Sequence, residues 1–418
     1  MNDVYTLVIP TYNRSGQLAT LLRYLERNRA AFPVLVLDSS GPDHRQRNRD
    51  MAKRLSLALT YVEYDHGTRP FDKFRDGIGM VKTDFCGLCA DDDLVIVDGI
   101  RRCVEHLVRH PELSAAHGYY FTFVEPVQTP RAMDLLGILY YTPDIASDDP
   151  VERLRDLFRN YQALTYATFR TRILRRVFDT VRPVESLLAR ELLSSALAVV
   201  FGKAARLRCF TNGRSLDASA SYEHWHPLEW LVESPAALFE EYARYREILV
   251  SEVMVAPGHV RPREETYRAI DLIHMFYLLR HLPLDAYDFL MKHALAGPRP
   301  ADVWANLQVQ LPLIRASAYL PPYQLASEGN PAPDVREMGF RESVRALLSS
   351  IGRGRRGSRG AEDRWPKDLI TPIRHYRLHE AFVRPRPPEL FAIGRDDVTH
   401  LLRALDTYTK SEASPNPR

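Results

Sequence analysis

Three consecutive carboxylates, Asp91, Asp92 and Asp93, follow an apolar run at residues 85–89. The run predicts a buried strand, at whose end like charges would repel one another and lose hydration. A divalent cation relieves such repulsion, and Mg²⁺ or Mn²⁺ binds through one or two carboxylates together with substrate phosphates. A solvated acidic turn that caps the next helix through Asp93 or Asp98 explains the same residues. The acidic run by itself therefore leaves a metal site and a solvated turn open.

Polar residues also follow two earlier strand candidates. Residues 5–9 form a β-branched run, and the segment 10–14, which reads Pro-Thr-Tyr-Asn-Arg, comes directly after it. Residues 34–37 form a second buried run, which Asp38 ends. Helical spacing of apolar residues between such runs predicts alternating strands and helices, and hence a mostly parallel sheet. Ligands bind at the carboxyl ends of such strands, so these polar residues are expected at one edge.

The ordered combination of these motifs resembles the inverting family 2 glycosyltransferases of the GT-A fold, over about residues 4–215. The resemblance implies a Rossmann-like α/β domain in which the segments after the first two strands hold a nucleotide. It also implies that the acidic run engages the ribose and a metal-bound diphosphate. The implied nucleotide-sugar contacts are Pro10, Thr11, Tyr12, Arg14, Asp38, Lys73, Asp91 and Asp92, and the implied ligand of Mn²⁺ or Mg²⁺ is Asp93.

The resemblance also implies a catalytic base. The family places an acidic pair at the start of a helix well beyond the metal motif, and Glu191 matches its second position, with Arg190 at the first. Inverting transfer needs a base for the acceptor hydroxyl and a counter-charge for the departing diphosphate. Glu191 would supply the first and the metal the second. An ordinary surface glutamate, paired with Arg190 or one turn away, is the alternative, and Glu185 is the second candidate.

Three further segments have two interpretations each. Residues 71–77 resemble the family helix whose basic residue approaches the nucleotide base, but Lys73 is equally read as a surface lysine. Residues 166–170 resemble the segment that lines the acceptor, and they also fit an amphipathic strand. His224 and His226 would share a metal only on a strand, where residues two apart face the same side. Interface or core packing is their alternative role.

Length and helical periodicity predict two domains, because the chain has 418 residues and domains hold about 100–200 each. We expect the GT-A domain at 1–230 and an α-helical domain at 231–410, which would bind an acceptor or a partner. The second domain rests on apolar residues at helical spacing, for example at 236–255 and 264–282. No resemblance covers that half. Residues 411–418 are expected to form a disordered tail.

Composition excludes some classes of function. The chain has 56 basic and 53 acidic residues, so its net charge of +3 does not favour nucleic acid as a partner. Neither a signal peptide nor a membrane span is apparent, which predicts a cytoplasmic protein. The arginine-rich run at 353–359 is either a solvated loop or a peripheral contact with anionic lipid at the inner membrane face. Cys86 and Cys89 lack partners for a zinc or redox site and are interpreted as core residues.

The predicted function is metal-dependent, inverting transfer of a sugar from a nucleotide diphosphate sugar to a hydroxyl of a glycan or glycolipid. The resemblance alone implies a setting in bacterial polysaccharide or glycoconjugate synthesis. A sugar-phosphate nucleotidylyltransferase is one rival, but its glycine-rich basic loop would occupy positions 10–14. A catalytically silent scaffold or sugar-nucleotide-binding protein is the other, and loss of the acidic motif would have favoured it. The motif is intact.

Overall fold

The computed structural model describes residues 4–124, 133–139, 144–159, 161, 163–216, 227, 230, 234–279, 376–378 and 395–409. The strands are β1 (Tyr5–Thr11), β2 (Val34–Asp38), β3 (Leu59–Glu63), β4 (Phe85–Leu88), β5 (Leu94–Val95), β6 (Leu113–Val124), β7 (Met133–Leu139), β8 (Thr168–Arg170), β9 (Lys203–Ser215) and β10 (Tyr376–Leu378). The helices are α1 (Ser15–Arg27), α2 (Pro42–Arg54), α3 (Pro70–Met80), α4 (Val97–Arg109), α5 (Pro150–Arg159), α6 (Thr171–Thr180), α7 (Leu187–Val200), α8 (Pro235–Met254), α9 (Arg263–Leu279) and α10 (Arg395–Thr409).

The described strands form one sheet, in the order β10-β7-β6-β8-β4-β1-β2-β3. The block β4-β1-β2-β3 is parallel, which confirms the predicted mostly parallel α/β architecture. β8 runs antiparallel between β4 and β6. β9 lies parallel to β6 and pairs with the short β5 in the antiparallel direction. The sheet is therefore parallel where the nucleotide motifs lie and mixed beyond them.

The register of the parallel block brings the polar strand ends together. Thr11 at the end of β1 pairs with Asp38 at the end of β2. On its other side, Val8 of β1 pairs with Leu88, the last residue of β4, so the chain leaves β4 at the same edge. Helices cover both faces of this block, and every residue of β2 is buried. The rigid strands thus present the segments 10–14, 38–41 and 89–93 side by side.

Two hydrophobic cores lie on opposite faces of the sheet, because neighbouring residues of one strand belong to different cores. Val8 belongs to the core that continues through α5, α6 and α7 and includes Leu249 of α8 and Ile270 of α9. Leu7 belongs to the other core, which includes α1, α4 and Leu405 of α10. Described segments beyond residue 230 therefore pack into the cores of the N-terminal part.

The predicted division into 1–230 and 231–410 stays a prediction, and among the described residues it does not separate two cores. The tail 411–418, the arginine-rich run 353–359 and the histidines His224 and His226 lie outside the described residues. Across the part of the chain that the structure describes, none of the helices has the length and apolar character to cross a membrane.

The two cysteines of the C-x-x-C pattern are core residues, as predicted. Cys86 and Cys89 are free and buried, and they belong to different cores. Burial raises the pKa of the Cys86 thiol to about 12. A thiol with so high a pKa is not ionised near neutral pH, and it is therefore a poor nucleophile and metal ligand.

Replacing Gly99 by alanine is expected to lower the free energy of unfolding by about 1–3 kcal/mol, the usual cost of an extra methyl group in a packed interior. A Cβ atom at this position of α4 would lie 2.0 Å from the carbonyl oxygen of Phe210 in β9. Gly16→Ala in α1 is the matched control, because nothing lies within 4 Å of its Cβ position. Urea unfolding followed by circular dichroism compares the variants. Equal stabilities would contradict the close contact between α4 and β9.

Candidate functional site

The acidic run is tied to the segment after β1 by two side chains. Thr11 donates from Oγ1 to Oδ2 of Asp91 at 2.7 Å. Arg14 contacts Oδ1 of Asp91 at 3.3 Å and Oδ2 of Asp92 at 2.6 Å. Burial raises the pKa of Asp91 to about 6, although the Thr11 hydrogen bond and the Arg14 charge oppose the shift. The ends of β1 and β4 therefore form one charged unit, as the motif order predicts.

Asp38 is fully buried and bonded within the protein. Its Oδ1 accepts from the backbone N–H of Ser40 at 2.7 Å, and its Oδ2 accepts from Asn48 Nδ2 at 2.7 Å and from the hydroxyl of Tyr61. Burial alone would raise the pKa of Asp38, but these hydrogen bonds lower it below its ordinary value. The carboxylate orders the turn after β2 against α2 and β3. Its contact with the nucleotide stays a prediction.

Lys73 is buried, with 1% of its surface exposed, so its interpretation as a surface lysine is wrong. Its Nζ donates to the carbonyl oxygen of Thr11 at 2.8 Å and to Oγ of Ser39 at 2.8 Å. Burial lowers the pKa of Lys73 from 10.5 to about 8, although the charges of Asp91 and Asp38 oppose the shift. The lysine of α3 therefore joins the segments that follow β1 and β2.

The stability contributed at Lys73 is expected to depend on pH. Between about pH 8 and 10.5 the unfolded chain holds a proton on this amine that the folded chain has released, so stability rises with pH in that window. From about pH 8 to pH 10.5, the unfolding free energy of the wild type should therefore rise by about 1–3 kcal/mol relative to that of Lys73→Met. Urea titrations at several pH values measure this. Lys53→Met, at an exposed lysine of α2, is the control, and an identical pH dependence in both variants would contradict the buried amine.

An exposed aromatic ring lies on the same edge of the sheet. Tyr12 is 45% exposed, and its ring centroid lies 5.4 Å from that of His66, which follows β3. Asn13 holds this segment to the next one, since its backbone N–H donates to Ser40 Oγ at 2.9 Å and its Oδ1 accepts from Gly41 N at 2.8 Å. Tyr12 thus presents a ring on which a nucleobase can stack. His66 was not among the residues that the sequence singled out.

Asp93 connects the acidic run to β9. Its Oδ1 accepts from the backbone N–H of Ser215 at 2.9 Å, next to the pairing of Leu94 with Gly213. Burial raises the pKa of Asp93 above its ordinary value, although the charge of Arg214 opposes the shift. Sequence reasoning missed Arg214 and Ser215, because it did not predict β9.

Tyr166 is surrounded by charged side chains from three parts of the chain. It ends a 3₁₀ turn, Leu164–Tyr166, within the segment that resembles the acceptor lining. Burial raises the pKa of its phenol, and the charge of Glu191 raises it further. Asp93 and Asp92 act in the same direction, and Arg214 acts against them. The charge of the candidate base on α7 and the charges of the acidic run therefore act on the same phenol.

The start of α7 shows why the two candidate bases differ. Glu191 is in the second turn of α7 and is partly buried. Glu185 precedes the helix, its side chain is 75% exposed, and it lies 3.8 Å from Arg244 of α8. The buried guanidinium of Arg190 donates to the carbonyl oxygen of Val184 and lies 3.6 Å from Asp72 of α3. The charge of Glu191 acts on Tyr166, whereas Glu185 contacts α8. The role of the base stays a prediction.

A metal would have to depend largely on the substrate. Within the described residues, no three His, Cys, Asp or Glu side chains are grouped so that they could hold a metal ion. The acidic run nevertheless fits a Mg²⁺ or Mn²⁺ ion that a diphosphate helps to bind, since such ions need only one or two carboxylates. Burial and the neighbouring carboxylates raise the pKa of Asp93 even with Arg214 nearby, so a cation would favour its ionised form.

One family model matches the N-terminal part of the chain, and solved structures are similar at low sequence identity. A family model described as glycosyl transferase family 2 matches residues 6–180. S. aureus TarS 1–349 in complex with UDP-GlcNAc is 13% identical, with a TM-score of 0.46, over 74% of this chain and 80% of that chain. The mannosyltransferase PcManGT from Pyrobaculum calidifontis, in complex with GDP-Man and Mn²⁺, is 15% identical, with a TM-score of 0.41, over 78% of this chain and 84% of that chain. A comparison with curated proteins finds no match.

The matched residues contain the parallel block and the polar segments at its edge. They include the Thr11, Arg14 and Asp91 unit and the buried Lys73. The residues that the family model matches are thus those that form the parallel strands and the candidate site. The N-terminal part of the chain, matched over residues 6–180, is a family 2-like glycosyltransferase domain with the α/β architecture described above.

Proposed function

We propose that this glycosyltransferase moves a sugar from a nucleotide diphosphate sugar to an acceptor hydroxyl with inversion and with a divalent metal. The observation that carries the proposal is the unit of Thr11, Arg14 and the acidic run at the edge of the domain that the family model matches. The charges of Glu191 and Asp93, which both raise the pKa of the Tyr166 phenol, support it. Inversion requires the acceptor to attack the face of the sugar opposite the departing diphosphate, with a base on the acceptor side. A sugar between Glu191 and the acidic run meets that requirement.

The reaction transfers a proton from the acceptor to the protein and leaves the electrons of the broken sugar–diphosphate bond on the diphosphate. Glu191 takes the proton of the acceptor hydroxyl as the new bond to the anomeric carbon forms. The bond from that carbon to the diphosphate breaks, and its electrons remain on the diphosphate oxygen. Arg14, which bridges Asp91 and Asp92, and Arg214, which lies near Asp93, place positive charge on the diphosphate side.

The nucleotide is proposed to lie along the edge formed by β1, β2 and β4. Tyr12 would stack on the base, and Thr11, Pro10 and Asp38 would shape the pocket that receives it. Lys73 would fix the positions of the segments that follow β1 and β2, because its amine donates hydrogen bonds to both Thr11 and Ser39. Asp91 would face the ribose, with Asp92 and Arg14 beside the diphosphate. Asp93 would hold Mn²⁺ or Mg²⁺, which supplies further positive charge to the departing diphosphate.

The acceptor is proposed to be a glycan or a glycolipid. The resemblance to family 2 is the support for this class and for a role in bacterial polysaccharide or glycoconjugate synthesis at the cytoplasmic side of the membrane. The segment 166–170 is proposed to line the acceptor side, since the charge of Glu191 raises the pKa of the Tyr166 phenol.

The donor can be identified by thermal stabilisation. A ligand that binds only the folded protein raises its unfolding temperature, and the rise grows with concentration relative to Kd. We propose a screen of UDP, GDP, dTDP and CMP sugars, including UDP-GlcNAc and GDP-mannose, each with and without Mn²⁺. UDP, GDP or dTDP sugars should stabilise the protein, more strongly with Mn²⁺, and release of the nucleoside diphosphate should follow, whereas stabilisation by CMP sugars alone would contradict a diphosphate donor. Absence of any shift would overturn the proposed donor class.

A further inference from the structure

The start of α7 is held by a buried carboxylate from α8. Glu241 is only 4% exposed, and its Oε1 accepts from the backbone N–H of Glu185 at 2.6 Å and of Ser186 at 2.9 Å. Its Oε2 lies 3.4 Å from Nε of Arg244. Ser186 is the N-cap of α7, with its own side chain accepting from the N–H of Ala189. Glu241 therefore fixes the residue at which the helix of Glu191 begins.

Such a contact is strong on physical grounds. Backbone N–H groups at and before the first turn of a helix lack partners within the helix, and the helix dipole favours negative charge there. Hydrogen bonds to an ionised acceptor are stronger than those between neutral groups. Because Glu241 is buried, losing it would leave two N–H groups in a place that water reaches poorly. The first turn of α7 would then gain freedom to move.

A second set of contacts, made by Arg190, holds the same turn. Arg190 donates to the carbonyl oxygens of Val184 and Arg182, and it lies 3.6 Å from Asp72 on α3, the helix that carries Lys73. The segment 182–190 is therefore bound both to the nucleotide side of the site and to α8. Glu191 is the next residue, so these contacts hold the backbone that carries it.

We propose that Glu241 is a positioning residue for the transfer reaction, which places the carboxylate of Glu191 against the acceptor hydroxyl. The inference rests on the proposed role of Glu191 as the base. It gives α8, which lies beyond the residues matched by the family model, a part in the reaction. A small displacement of a reacting group is enough for a large effect, since misplacement by about 1 Å can cost about 100-fold in rate.

Hydrogen exchange in the full chain tests the contact itself. In Glu241→Ala the N–H groups of residues 185–190 should exchange faster, while the strands β1 and β4 should be unchanged. Glu252→Ala is the matched control, because Glu252 also lies on α8 and pairs with Arg176 of α6 instead. Glu241→Gln keeps an oxygen acceptor without the charge and should fall between the wild type and Glu241→Ala. Unchanged exchange at 185–190 would overturn the contact.

Kinetics test whether the contact serves Glu191. With UDP-GlcNAc, or GDP-mannose if the screen selects it, and water as the acceptor, Glu241→Ala should lower kcat by about 10- to 100-fold. KM for the donor and the affinity for UDP or GDP should stay within about twofold, a split that general loss of structure does not produce. Glu252→Ala should keep the wild-type kcat.

A double variant separates this inference from the proposed function. In a Glu191→Gln background, Glu241→Ala should lower kcat no further, because the group that it positions is already absent. A further fall as large as in the wild type would overturn the positioning role. If Glu191→Gln alone turned over normally, the proposed base would be wrong and the positioning role would fall with it, while hydrogen exchange would still decide whether Glu241 holds α7.

Discussion

Asp93→Asn is expected to abolish Mn²⁺-dependent turnover of the donor, with a loss of at least about 100-fold, the scale on which a single charge-stabilising group acts at the departing diphosphate. The amide oxygen of asparagine can still accept from the N–H of Ser215, so the link to β9 remains. The change removes only the charge that would hold the metal. Release of nucleoside diphosphate from the donor found in the screen, with and without Mn²⁺, measures the loss.

The same variant should be at least as stable as the wild type in the absence of metal. Burial raises the pKa of Asp93, so its ionised form is unfavourable in the folded chain, and Asp91 and Asp92 add repulsion. A residue that lowers stability but is needed for turnover is typical of a functional site. Asp98→Asn is the control, because Asp98 is an exposed carboxylate paired with Arg101 and Arg102 on α4. Normal Mn²⁺-dependent turnover in Asp93→Asn would rule out the metal role.

The nucleotide edge could be predicted from the sequence because its signals are local. Each strand of the parallel block is a short apolar run, and the polar residues that follow it are adjacent in sequence. The parallel arrangement then places Thr11, Asp38 and Asp91 at one edge without any need to know their contacts. The order of these residues along the chain was therefore sufficient to predict that they lie at the same edge of the sheet.

The burial of Lys73 could not be read from the sequence. Lysine is rarely buried, so a lysine on an amphipathic helix is expected at the surface. Its position depends on two oxygens, from Thr11 at the end of β1 and from Ser39 just after β2, which lie 62 and 34 residues away in the sequence. Only the folded structure shows that both oxygens lie within hydrogen-bond distance of Lys73 on α3.

The residues of the site on β9, and Glu241 on α8, were not predicted for a related reason. β9 contains arginines, an asparagine and a glycine among its apolar residues, so its alternation is weak, and it forms by pairing with the distant β6. Arg214 and Ser215 reach Asp93 only through that pairing. Glu241 is likewise more than fifty residues from the helix start that it caps. Side chains whose role depends on long-range contacts leave no local pattern.

Glu191→Gln is expected to lower sugar transfer by about 100- to 10,000-fold, the range over which a positioned general base contributes to a rate. Glutamine has the same size but cannot accept the acceptor proton. The nucleotide contacts around Thr11, Lys73 and Asp91 lie on other elements, so affinity for the nucleoside diphosphate should stay close to that of the wild type. Steady-state transfer and calorimetric binding of the nucleoside diphosphate measure the two quantities separately.

Glu185→Gln is the matched control, because Glu185 is an exposed glutamate six residues earlier whose side chain is directed at Arg244. It should keep transfer within about twofold, since exposed ion pairs contribute little. Normal transfer in Glu191→Gln together with a large loss in Glu185→Gln would move the base to Glu185. Since Glu185 contacts Arg244 of α8, that result would also require the start of α7 to rearrange when the acceptor binds.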